Sequence, residues 1–333
     1  MRFGMFDQTE QPGGVEPGEL LESRLRLAER AEQAGFWGYH KSEHHLTPLD
    51  HGPSIGLFLA ALAQRTSTMR LCSLVHILPF YHPLRLLEEV CMLDHLSGGR
   101  LEVGFGKGIS PPEHSMWGLD PDEAAARTDE VLAILLAAMQ SDGSFSFEGE
   151  FFSFDDVPLE VKPKQRPYPP LWRPGTLDTA AKLGVSTVVG GPTAFAHQAI
   201  ERYHVARQEG IGAGHKPTVG VVRKFIVAPT DREADELGRR AWVRYTHNLG
   251  LLFRAHGIAI PNDPTIGGDY ERAKQVHAIV VGSPATVRDH VNELASSPLV
   301  EYLIGCFAFG DLTHDEALRS LDLFGEHVVA DAA

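Results

Sequence analysis

The sequence predicts an α/β protein built as a (β/α)8 barrel of the TIM type, with insertions. Short apolar runs alternate with helical patterns almost from end to end. Eight such runs start near residues 3, 38, 71, 101, 171, 186, 220 and 302, the strand number that a barrel needs. The 333 residues exceed the roughly 250 of a plain barrel and leave room for added segments. The main rival is a doubly wound open sheet. That fold usually shows a glycine-rich turn after its first strand, and Phe6-Asp7-Gln8 is not one.

In order, a first strand over 3–6 leads to a helix over 19–34. Leu20, Leu27, Ala31 and Ala34 share one face of it, and Gly35 closes it as a C-cap. A second strand over 37–42 leads to a helix over 54–64, with Ser54 as its N-cap. The run 71–78 is densely apolar, as a strand buried on both faces should be. A helix over 83–95 has Pro at its first turn and ends at Ser97-Gly98-Gly99; strand 100–105 and helix 120–139 follow. Residues 143–163 break the rhythm: Phe145, Phe147, Phe151, Phe152 and Phe154 flank Glu148-Gly149-Glu150, the pattern of an inserted β-hairpin. The alternation resumes with strand 171–173, helix 176–183, strand 186–189, helix 193–209, strand 219–228 and helix 232–252. The stretch 256–275 has the Pro, Gly and Asp content of a mobile lid. Helix 284–296, strand 301–307 and helix 314–328 complete the chain, and no domain-length linker interrupts it, so 1–333 reads as a single domain.

Thirty basic residues face 44 acidic ones, a net charge of −14, which repels nucleic acid and anionic membranes. Hydrophobic residues make up 43% and suffice for a large core. Cys72, Cys91 and Cys306 are far apart and lie in apolar or helical runs, which predicts buried reduced thiols. The N-terminal residues show no signal-peptide pattern, and no apolar run reaches 18 residues, so a cytoplasmic protein is expected.

Six segments carry chemistry. Ser42-Glu43-His44-His45-Leu46-Thr47 follows the second strand, and Leu78-Pro79-x-x-His82-Pro83-Leu84-Arg85 the third. Leu93-Asp94-x-Leu96-Ser97-x-Gly99-Arg100 leads into the fourth strand, which ends in Gly104-x-Gly106-Lys107-Gly108. Near the C-terminus come Val281-Gly282-Ser283-Pro284 and Ile304-Gly305-Cys306-Phe307. In this order, over nearly the whole chain, they resemble the bacterial-luciferase-like flavin-dependent monooxygenases. The resemblance implies an oxidoreductase that uses reduced FMN and O2 to oxidise a small apolar organic substrate through a flavin hydroperoxide. It also implies a separate NAD(P)H-dependent flavin reductase as supplier, which fits the lack of a G-x-G-x-x-G turn. A sister branch uses a deazaflavin instead.

Carried over residue by residue, the resemblance makes His44 the catalytic candidate for proton transfer, with His45 and Glu43 beside it. A histidine suits that task near neutral pH, whereas Glu43 can simply orient an imidazole. In a chain with 17 His, a structural role is the alternative for each. Leu74-Val75 stands where the family carries a non-proline cis peptide beneath the flavin; otherwise it is ordinary buried strand. For the flavin phosphate, Lys107 is one candidate and Gly175 with Thr176 another, with Thr179 and Arg173 in support. A plain tight turn is the alternative at Pro174-Gly175. Arg127 matches a family position near the flavin, or else pairs with Glu130 on the helix surface. Gly106 replaces a common Cys, so light emission is not expected. The family further implies a homodimer through helix 83–96, with Glu88 or Glu89 facing the partner; a solvated helix face is the alternative.

Three rivals stay open. One is a deazaflavin-dependent oxidoreductase on the same fold. Another is a barrel metal hydrolase using His40, His44, His45 and His51; such enzymes usually place H-x-H after strand 1, where this chain has Met5-Phe6-Asp7, and no metal is expected. The last is a non-catalytic flavin-binding relative. Phe151, Phe152, Trp117, Trp172 and Phe309 either line an apolar pocket or belong to the core.

Overall fold

β-branched and aromatic runs with helical crossovers can close only one way, with parallel strands inside and helices outside. The structure, a computed structural model, describes residues 1–212, 214–259 and 268–330. Its strands are β1 (Arg2–Asp7), β2 (Gly38–Lys41), β3 (Arg70–Ile77), β4 (Leu101–Gly106), β5 (Phe145–Glu148), β6 (Ser153–Val157), β7 (Leu171–Trp172), β8 (Thr187–Val189), β9 (Val219–Val227), β10 (Ile279–Gly282) and β11 (Tyr302–Cys306). The parallel ladder runs β9-β11-β1-β2-β3-β4-β7, and β8 pairs with β9. One bridge, Trp172 to Ser186, joins β7 to the start of β8 and closes the ring at eight strands. The order expected from sequence is therefore present.

The lumen is filled by side chains. Tyr302 occupies its floor, and a Cβ on Gly4 would lie 2.0 Å from the Tyr302 hydroxyl, so β1 needs glycine there. That hydroxyl meets His40 Nε2 at 2.7 Å, and Trp172 packs edge-on against the same imidazole at 5.3 Å. Outside the strands, Phe3, Phe36, Phe225, Phe307 and Phe324 form one buried aromatic cluster under the helices. Trp172 and Phe309 are wholly buried, so they are core.

Several details differ from the sequence reading. β10 is a further strand, paired with the end of β9. The helix expected over 232–252 breaks at Gly250 into Asp231–Leu249 and Leu251–Ala255. A short helix, Pro111–Met116, stands between β4 and the helix Ala124–Gln140. β5 and β6 pair antiparallel as a hairpin. Glu130 does not pair with Arg127. Its carboxylate takes the amides of Glu150, Phe151 and Phe152 in that hairpin's loop. Arg127 instead pairs with Glu123 at 2.8 Å and lies over the Phe151 ring. Of the lid expected over 256–275, residues 260–267 lie outside the described residues, and Tyr270–Gln275 is helical. No described helix is long and apolar enough to cross a membrane, and all three cysteines are buried and free.

Candidate active site

β2 delivers its last residues to the C-terminal mouth of the barrel. Lys41 would be an isolated buried cation there, but its ammonium sits 2.7 Å from Asp50 Oδ2, with both side chains 0% exposed. Asp50 also accepts the Gly52 amide at 2.8 Å. This pair ties the two ends of the loop 42–50 together beneath the Glu43-His44-His45 segment.

Above it stand two carboxylate–imidazole pairs. Glu43 is fully buried. Its Oε1 receives the Tyr81 hydroxyl at 2.9 Å and contacts His45 Nε2 at 2.7 Å, while its Oε2 accepts the Ile77 amide at 2.8 Å. Glu43 is thus committed to holding His45 and the end of β3. The second pair joins His44 to Glu113: Nδ1 lies 3.2 Å from Oε1, and the His45 amide donates to Oε2 at 3.0 Å. Sequence reasoning missed Glu113. Its only local signal is Pro111-Pro112-Glu113, the proline-started first turn of a helix.

Burial pushes the Glu43 carboxyl above its ordinary range, against the hydrogen bonds from His45 and Ile77. At His44, burial works to lower the pKa, but the hydrogen bond and charge of Glu113 outweigh it and leave it raised. Burial likewise opposes ionisation of Glu113, yet the His44 contacts hold its pKa below normal. An ionised Glu113 only accepts, so it fixes the proton of neutral His44 on Nδ1 and leaves Nε2 as the titrating nitrogen.

On the neighbouring strands β3 and β4 and just after β7, four of the proposed flavin residues converge. The Leu74–Val75 peptide is cis. A Cβ on Gly106 would come within 2.9 Å of Val75 Cγ2 and 3.5 Å of the Arg173 guanidinium. The Arg173 guanidinium has no carboxylate partner among the described residues; it donates to Phe105 O at 3.5 Å, and burial lowers its pKa. Gly175 adopts φ 115°, and the Thr176 and Thr179 hydroxyls meet at 2.6 Å. Gly175 and Thr176 line a cavity of about 800 Å³ that extends to β8 and β9. Lys107 is exposed beyond the end of β4. Arg127 is engaged by Glu123 and Phe151.

The large cavity is therefore not at His44. His44 and Glu113 border a separate recess of about 10 Å³ with Leu249 and Phe253. In the ring, β2 and β8 face each other across the mouth. Trp117 is half exposed and packs on His45 and Phe80, at the His44 side. Phe152 packs on His82 instead.

The closed barrel with its mouth-side acid–base pairs defines a barrel enzyme. The family model described as luciferase-like monooxygenase matches residues 1–301. An uncharacterized protein, y4wF, of Sinorhizobium fredii (strain NBRC 101917 / NGR234) is 36% identical over 325 residues, 96% of this chain and 93% of that protein. The oxygenase component of a flavin-dependent trigonelline monooxygenase of Acinetobacter baylyi is 25% identical, over 76% of this chain and 72% of its own. The crystal structure of monooxygenase RslO1 from Streptomyces bottropensis superposes with a TM-score of 0.83 at 28% identity, covering 100% of both chains. The chain belongs to the luciferase-like monooxygenases, as the motif order anticipates, and is an oxidoreductase of the monooxygenase class.

Proposed function

We propose that the protein is the oxygenase of a two-component system, using reduced FMN and O2 to oxidise a small, mostly apolar organic molecule. The observation that carries this reading is the seat formed by Leu74, Val75, Gly106 and Arg173. There, the absence of a Cβ at position 106 lets Val75 and the Arg173 guanidinium, which has no carboxylate partner among the described residues, close in over the end of β4. The residues fit a flat ring with an anionic tail: Leu74, Val75 and Gly106 offer an apolar bed, and Arg173, Gly175, Thr176 and Thr179 offer charge, a free amide and hydroxyls. Lys107 and Arg127 are secondary candidates, one exposed and the other already paired. When bound, reduced flavin supplies the electrons that activate O2.

In this reading His44 Nε2 accepts and returns a proton at the reacting centre, while Glu113 keeps Nδ1 protonated and the ring in place. Glu43 holds His45, and His45 with Phe80 and Trp117 walls the approach. Reduced flavin comes from a separate NAD(P)H-dependent flavin reductase. A homodimer through the helix Pro83–Leu96 fits the exposed Met92, Leu96 and neighbouring Leu57, at 55, 50 and 76%. Cytoplasmic residence fits the three free thiols.

The test is oxygen uptake and product formation with chemically reduced FMN over a panel of aldehydes, ketones and terpenes. FMN-dependent oxygenation of any member supports the reading. Tight binding of a deazaflavin together with none of FMN overturns it in favour of a deazaflavin oxidoreductase.

A further inference from the structure

Lys224 stands out among the lysines. Lys41, Lys216 and Lys274 each hold an acid at 2.7–2.8 Å. Lys224 holds none among the described residues, although it is partly buried. It lies on β9 in register with Gly220 and Val222. A Cβ on Gly220 would abut Ile304, and Val222 packs with Leu74, Trp172 and Ile304, so this face of β9 looks into the lumen. The Lys224 ammonium thus stands at the inner wall of the 800 Å³ cavity, 4.0 Å over the Tyr245 ring and 5.7 Å from that of Phe309.

A buried ammonium with three donors normally finds an acceptor of opposite charge. The carboxyl that acts on it, Glu10, is committed elsewhere: Asn248 donates to one oxygen and the Gly310 amide to the other, each at 2.6 Å. Burial opposes charge on Lys224, but Tyr245, Cys306 and Glu10 outweigh it and hold its pKa above the ordinary value. The other cations on the cavity are occupied. Arg202 reaches Asp178 at 3.5 Å on the rim, and Arg223 donates to the Gly191 and Val222 carbonyls. Much of the remaining wall, with Val188, Val222, Phe195 and Trp242, is apolar, while Thr176 and the Arg202-paired Asp178 stand toward the rim.

We propose that this cavity takes an organic substrate with an apolar body and a carboxylate, and that Lys224 is the cation that binds the carboxylate. The proposal rests on the monooxygenase reading and narrows it: discrimination at this site is by charge as well as shape. A volume of about 800 Å³ is within the usual range for drug-sized ligands. An anion can come from the substrate or from the flavin phosphate. A single ammonium on an aromatic wall suits a monocarboxylate, whereas Arg173, Thr176 and Thr179 supply the denser donor set that a phosphate prefers.

The probes are 2-naphthoate and its neutral amide, 2-naphthamide, titrated calorimetrically into the full chain with and without FMN. The expected result is at least tenfold tighter binding of naphthoate, about 1.4 kcal/mol. K224M should erase that preference while leaving naphthamide and FMN affinities within twofold, and K224R should keep most of it. Equal binding or no binding of the two probes to the unmodified chain overturns the proposal, and this arm needs no variant. So does a preference that survives K224M. A tenfold loss of FMN affinity in K224M with naphthoate unchanged overturns it too, by assigning the cation to the phosphate. Because the naphthoate arm is read without flavin as well, failure of FMN to bind the unmodified chain overturns the flavin reading alone.

Discussion

The carboxylate of Glu113 grips His44 and the residue after it at once, taking His44 Nδ1 at 3.2 Å on one oxygen and the His45 amide at 3.0 Å on the other. Glu113 raises the pKa of His44. Removing its charge lets burial pull that pKa down, so Glu113→Gln should move the His44-dependent limb of the kcat/KM–pH profile to lower pH. His44→Gln should cost turnover about 10²- to 10⁴-fold with FMN affinity unchanged. A profile unmoved in the Glu113 variant sinks the proton-transfer role.

Adding a side chain at position 106 should push Val75 and Arg173 out of the flavin bed. Gly106→Val places carbon where Val75 Cγ2 already stands 2.9 Å from a bare Cβ. FMN affinity, read by fluorescence quenching, should fall at least tenfold, with the far-ultraviolet circular dichroism retained. Unchanged affinity would place the flavin elsewhere.

Glu10 predicts a pH-dependent stability. Burial raises its pKa from 4.5 to about 7, against hydrogen bonds from Gly310 and Asn248. The folded state therefore binds a proton that the unfolded chain releases near 4.5. The stabilisation is full below pH 4.5 and is lost as pH rises through 7, to the extent of about 3 kcal/mol. Chemical denaturation across pH 4.5–8 should show that slope, and Glu10→Gln should flatten it whatever its offset.

Asp50→Asn leaves the buried Lys41 ammonium without its counter-charge. Breaking a buried pair from one side costs about 3–5 kcal/mol, so the melting temperature should drop steeply. A loss below 1 kcal/mol would show that water reaches Lys41.

The exposed apolar residues Leu57, Met92 and Leu96 should be covered in a dimer. Light scattering should report a dimer for the unmodified chain and a monomer for the double variant Leu57→Asp, Met92→Glu. A monomeric unmodified chain ends the dimer reading.

The barrel was legible because strands buried on both faces leave dense apolar runs, and each is spaced by a helix-length crossover. β10 was missed because its four residues merge with the turn into the next helix. The Glu43-His44-His45 segment was visible as a motif, but Glu113 was not. It lies 69 residues from His44 on a six-residue helix, and a contact made across two loops leaves no period to read. Arg127 had partners available at both i−4 and i+3. The hairpin amides at Glu150–Phe152 claim Glu130, and only the folded chain reveals that competition. Lys224 sat unnoticed in a strand pattern, because one charge in an apolar run says nothing about which way it faces.

The ring is not equally strong around its circumference. Seven seams are laced by ladders, while the eighth, between Trp172 and Ser186, hangs on one bridge and a two-residue strand. Local opening should begin there, and amide exchange at Leu171–Arg173 should run faster than in β1 or β11. Arg173 belongs to that seam, its amide donating to Ser186 O at 2.7 Å and its carbonyl accepting from Thr187 Oγ1 at 2.8 Å. An anion gripped by Arg173 would fasten the barrel at its loosest join, so cofactor loading and mechanical closure of the fold become one event.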